Sequence, residues 1–188
     1  LYPPKEFVDG ESFPFLGRNL RLSILQNAKT ETPKCAIASK RLNIYVSGQS
    51  GEKLKTIASE IIQALYAKHT ASRAYAFARK HAAGLAIKIG RISVVEQKKR
   101  WGSCSRKGDI RINWRLSMMP PAVMEYIVVH ELCHLKIPDH SAKFWGIVKS
   151  ILPDYEKRRI WLRKHGPALF LISDWAQHDV LGKPGTKH

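Results

Sequence analysis

The chain has 188 residues, 44% of them hydrophobic and 25% charged, a composition that fits one folded domain with a small appended module and excludes a disordered or fibrous protein. No run approaches the roughly 18 consecutive apolar residues of a membrane span, and Leu1-Tyr2-Pro3-Pro4 opens neither a signal nor a transit peptide, so a soluble cytoplasmic protein is expected. A formal charge of +17 favours a polyanionic partner such as nucleic acid or nucleotide phosphates, while three cysteines without paired spacing exclude a disulfide framework and a thiolate zinc knot.

In chain order, short β-prone runs at 12–16, 20–25, 35–38 and 42–46 alternate with turn-prone residues and predict a small antiparallel β module over 1–50. Leu54, Ile57, Ala58, Ile61, Ile62 and Leu65 then recur at helical spacing, which predicts a long helical segment over 51–85 with a break near Thr70 to Ser72. Strands at 86–95 and 109–116 flank a basic loop from Lys98 to Gly108 and are expected side by side in one sheet. Pro120 and Pro121 open a helix that carries apolar residues to Leu135 before Pro138 disrupts it. Shorter helices are expected from about Ser141 to Leu152 and from Asp154 to Lys164, the second ended by Gly166. Residues 167–188 read as a C-terminal tail, expected to be partly disordered. The fold class is α+β, with the chemistry in 86–166.

That chemistry sits in His130-Glu131-Leu132-Cys133-His134. Four residues apart on a helix, His130 and His134 project from one face one turn apart, a spacing that suits one metal ion, and Glu131 lies about 100° around in reach of a metal-bound water. A catalytic zinc takes three protein ligands and keeps a fourth position for water. His140 is the third candidate, because Pro138 and Asp139 end the helix and let the chain turn back. The apolar run around the motif predicts burial, and buried His and Glu need a partner. Cys133 faces away from both histidines and is expected to pack in the core.

Arg100-Trp101-Gly102-Ser103-Cys104-Ser105, then Asn113-Trp114-Arg115-Leu116, His130-Glu131-Leu132-Cys133-His134-Leu135, His140-Ser141 and Phe144-Trp145, in this order, resemble the YgjP-like metallopeptidase domain family. The resemblance continues through Leu152-Pro153-Asp154-Tyr155 to Trp161-Leu162 and covers most of 86–166. It implies a zincin-type fold, a mixed sheet beside the metal-carrying helix, one zinc ion on His130, His134 and His140, and Glu131 as general base. It also implies two activities, a metallopeptidase and a nucleoside triphosphate pyrophosphatase acting on UTP. Ile137 stands where a metzincin has glycine, which argues against that branch.

For a peptide, the 109–116 strand is expected to hold an extended substrate by edge pairing. For a nucleotide, the basic stretch from Lys88 to Arg115, with Trp101 and Trp114 interleaved, would meet phosphate and base. Arg100, Trp101, Asn113 and Arg115 are the candidate substrate contacts. A third reading is a non-enzymatic nucleic-acid-binding module with a structural zinc, but three histidines and no fitting cysteine leave an open position that a structural site would fill.

Overall fold

The computed structural model describes residues 5–26 and 31–172. The chain opens with β1 (Ser12–Phe15), β2 (Arg18–Gln26), β3 (Lys34–Ala38) and β4 (Arg41–Val46), which form a sheet of order β1-β2-β4-β3. Phe13 and Phe15, Leu20 and Leu22, and Leu42, Ile44 and Val46 are buried at every second position, so one face of the sheet is apolar and packed. The expected antiparallel pairing holds at β1–β2 and β3–β4, whereas β2 and β4 run parallel, with Leu22 opposite Leu42 and Ile24 opposite Ile44. The sheet is therefore mixed: β3 takes the outer edge, and its antiparallel return sets β4 down beside β2 in the same direction.

Helix α1 (Gly51–Ala82) is continuous, without the expected break at Thr70. The Thr70 hydroxyl, instead of capping a break, donates to the Trp114 carbonyl at 2.9 Å and lies 2.7 Å from the Ser117 hydroxyl. Ala58, Ile62, Tyr66, Thr70, Ala74, Ala78 and Ala82 form one buried stripe at four-residue spacing. The small residues of its second half let the next layer approach closely.

That layer is a second sheet of order β5-β7-β6, built from β5 (Ile92–Val95), β6 (Gly102–Cys104) and β7 (Ile110–Asn113). The expected neighbours β5 and β7 pair in parallel, and β6, which the sequence reads as loop, adds antiparallel to the other side of β7. Both edges of β7 are thus occupied, and the 109–116 segment cannot receive a substrate strand. Its last part is a 3-10 turn, Trp114–Met118, which Asn113 caps by accepting the Arg115 N–H.

Helix α2 (Pro121–His134) begins at proline as expected and is almost wholly buried. Helix α3 (Ala142–Ile151) follows, and α4 (Tyr155–Ile172) runs through Gly166 and Pro167 rather than ending there. Gly166 is needed for contact: a β-carbon there would stand 3.2 Å from the Trp101 ring and 3.3 Å from Leu162. Proline costs the helix one backbone hydrogen bond, yet the next residues make contacts, with Phe170 packed on Trp101 at 4.2 Å between ring centroids. The tail expected over 167–188 begins as helix, and residues 173–188 lie outside the described residues. The architecture is α+β, with the motif helix beside a mixed sheet. Among the described residues no helix is long and apolar enough to cross a membrane.

Candidate metal centre

Helix α2 places Tyr126, His130 and His134 at four-residue spacing on one face, and the turn after it returns His140 to the same point. The three Nε2 atoms form a triangle with all edges 3.1 Å. Three neutral imidazoles cannot all donate into one another, so the arrangement leaves lone pairs converging on a common point. Ligand nitrogens about 2.0–2.1 Å from a tetrahedral ion stand roughly 3.3 Å apart, close to the observed edge. Among the described residues these are the three histidines that could hold a metal ion.

The surroundings orient the triad. His134 Nδ1 lies 3.1 Å from the Ile137 carbonyl, which fixes its proton there and turns the Nε2 lone pair inward. Burial, reinforced by His134, His140 and Arg159, pulls the His130 imidazolium down to about 3, and burial likewise lowers His140. Phe144 touches all three imidazoles, with ring centroids 5.0, 4.6 and 4.9 Å from His130, His134 and His140. Trp145 stacks on His140 at 5.6 Å, and Arg159 lies over the Trp145 ring at 4.7 Å. The sequence shows Phe144 only as part of a motif; the signal of its role is its place one turn past His140, at the start of a helix that must face the triad.

Glu131 is 7% exposed and lines a cavity of about 840 Å³ with the triad, Arg100, Trp101 and Tyr126. Burial pushes its carboxyl up to about 7, against the opposing charge of Arg100. Its side chain lies against β6, where Gly102 leaves it room. Tyr126, four residues before His130, is a wall of the same cavity that the motif alone does not reveal.

Of the expected substrate contacts, Arg100 and Trp101 line this cavity, whereas Asn113 and Arg115 lie behind it. Asn113 is fully buried and donates from Nδ2 to the Gln97 and Arg100 carbonyls at 2.7 and 3.0 Å. Arg115 reaches Glu96 at 2.7 Å and stacks over Trp114 at 4.5 Å. Both hold the loop that presents Arg100. Cys133 is buried in the core, its thiol pushed up to about 11 by burial. His81 lies 2.9 Å from Glu125, His69 3.2 Å from Ser117, and His165 is stacked on Trp161, so none joins the triad. On the basic helix α4, Arg158 is committed to Glu125 and Asp154.

Comparison with curated proteins finds no match. Among solved structures, the crystal structure of the metallopeptidase zymogen of Pyrococcus abyssi abylysin is similar over 48% of this chain and 93% of that one, at 23% identity and a TM-score of 0.43. Residues 2–165 match the YgjP-like, metallopeptidase domain family. The matched span takes in the whole triad, Glu131 and the sheet they rest on, and the family carries a divalent metal: the chain belongs to the YgjP-like metallopeptidase domain family and is a metal-dependent hydrolase.

Proposed function

We propose that the chain is a single-zinc peptidase in which His130, His134 and His140 hold the ion and Glu131 is the general base. The observation that carries the reading is the 3.1 Å triangle of Nε2 atoms beside the buried Glu131 carboxyl, which lines the same cavity. Three imidazoles with an open fourth position suit catalytic zinc. When bound, zinc lowers the pKa of a coordinated water and polarises the electrophile.

The remaining steps belong to the chain. Glu131 accepts a proton from the attacking water and returns it to the leaving nitrogen. The Tyr126 phenol, pushed up to about 12 by burial, stays protonated and is available to donate to the developing oxyanion. Strand β6 supplies the edge that β7 lacks. Asn113 N–H donates to the Trp101 carbonyl and Ser105 N–H to the Asp109 carbonyl, so by antiparallel alternation the backbone groups of Gly102 and Cys104 turn to the outer edge, beside the cavity. An extended peptide pairing there passes the triad.

Arg100, Arg106 and Lys136 on the cavity wall favour a second substrate class, a nucleoside triphosphate cleaved at a phosphoanhydride. The test is to assay zinc-loaded protein against a peptide panel and UTP, with Glu131→Gln as control and bound zinc measured in both. Peptide cleavage that is lost in the variant while one zinc per chain is retained is the expected result. Pyrophosphate release from UTP without peptide cleavage moves the reading to the second class, and full activity in the variant removes Glu131 as base.

A further inference from the structure

A second concavity, of about 720 Å³, lies on the far side of β6 from the metal triad. Ser103, Cys104 and Ser105 line both spaces, so β6 is a wall between them. The rest of the second lining is Arg91, Ser93, Asp109 and Arg111. The sheet register explains this composition: Ser93 stands opposite Arg111 across β5–β7, and Arg111 opposite Ser103 across β7–β6, forming one polar row. Ile110 and Ile112, on the other face of β7, are buried.

The charge in this groove is unbalanced. Asp109 is its single acid, and that carboxylate already accepts the Arg91 N–H at 2.8 Å. Among the described residues neither the Arg91 nor the Arg111 guanidinium forms a salt bridge. Arg111 is exposed, and its neighbour toward the β6 edge is the small Ser103, whose hydroxyl accepts from Gln97 Nε2 at 3.3 Å.

Side chains of an extended strand alternate between the two faces of the sheet it joins. A peptide paired along β6 would send one set toward the triad and the other over the polar row. We propose that the Arg91–Arg111 groove is a specificity subsite that selects an aspartate or glutamate side chain of the peptide substrate, held by the Arg111 guanidinium with the positive charge of Arg91 behind it. The inference rests on the peptidase reading for its position along β6 but not for its charge preference. A guanidinium fork matches a carboxylate with two parallel hydrogen bonds, which an amide of the same shape cannot equal.

The test uses the full chain, without metal for binding and loaded with zinc for cleavage. The probes are two fluorescein-labelled ten-residue peptides that differ only in carrying three aspartates or three asparagines. Binding measured by anisotropy is expected to favour the aspartate peptide about tenfold, and Arg91→Gln/Arg111→Gln is expected to bring the two within about twofold. Arg91→Lys/Arg111→Lys, which keeps the charge but loses the fork, should fall between. Thermal melting of each variant guards against misfolding. An unaltered preference in the folded Gln variant overturns the subsite, as does UTP or inorganic phosphate displacing the aspartate peptide at concentrations far below those of free aspartate peptide. If the preference depends on the arginines but zinc-loaded protein cuts neither peptide, the subsite stands and the peptidase reading falls. Cleavage of both peptides at equal kcat/KM by the wild-type chain removes the subsite alone.

Discussion

A β-carbon placed on Gly102 would fall 2.8 Å from Oε1 of Glu131 and 2.9 Å from its Cγ, so strand β6 and helix α2 meet at a spacing at which an alanine must push the Glu131 side chain aside. The contact aligns the carboxyl with the edge on which a substrate would lie. Gly102→Ala displaces the end of a flexible side chain rather than backbone, so it should leave melting temperature and zinc content nearly unchanged. Misplacing a catalytic group by about 1 Å costs on the order of 100-fold, and kcat should fall by about that much. A kcat within twofold of wild type, with the alanine present and zinc bound, would show that the position of Glu131 against β6 does not matter.

Phe144 is the flat floor under all three imidazoles, and its effect should appear in the metal before it appears in the substrate. Phe144→Leu preserves most of the buried volume but not the plane against which the rings rest. Loss of such outer support typically weakens metal affinity about 10- to 100-fold. Competition with a zinc chelator should show that loss in the variant, while KM at saturating zinc changes little. Equal zinc affinity in the two proteins would make Phe144 a core residue only.

Arg100 and Asn113 separate what a sequence can place from what it cannot. Asn113→Ala removes two donors from buried backbone carbonyls, at about 2 kcal/mol for the unsatisfied groups, and should lower the urea midpoint. Arg100→Ala lies on the cavity wall and should instead raise KM with stability intact. A reversal of the two outcomes would return Asn113 to the substrate and make Arg100 structural.

The elements with one unambiguous period were legible from the sequence. The four N-terminal strands alternate apolar residues and appear as strands, and α2 announces itself by Pro121 at its start and apolar residues to its end. Pairing was not legible, because whether β4 joins β2 in parallel depends on where β3 returns, which no residue in β2 or β4 encodes. Strand β6 was hidden because Gly102-Ser103-Cys104 carries no β-branched side chain; it is a strand because β7 offers an edge. Gly166 reads locally as a helix stop, but Trp101 lies 65 residues earlier in the chain and sets the need for a small residue there. The triad was legible because two of its members sit on one helix at fixed spacing. Asn113 and Arg115, expected beside the substrate, lie buried behind the cavity for the opposite reason: a buried polar residue that ties a loop and an exposed one that binds substrate look alike until burial is known.

Glu125 gives a pH dependence with a definite sign. It is 8% exposed on α2 and receives Lys80 at 2.8 Å, His81 at 2.9 Å and Arg158 at 2.8 Å, so it ties α1 and α4 to the motif helix. Burial alone would raise its carboxyl, but the hydrogen bonds from Lys80, His81 and Arg158 outweigh that and hold it at about 2, below the ordinary 4.5. Between these two values the unfolded chain binds the proton and the folded chain does not. The contribution is therefore complete above about pH 4.5 and is lost as pH falls toward 2. Glu125→Gln keeps the shape and loses the charge, so it should be less stable than wild type at pH 7 by about 1–2 kcal/mol, a figure kept small because Lys80 is largely solvated. The difference between the two proteins in urea unfolding should shrink as pH falls below 4.5 and nearly vanish near 2. A difference that stays constant across that range would mean that the cluster stabilises the fold by shape and neutral hydrogen bonding, with the carboxylate charge contributing nothing.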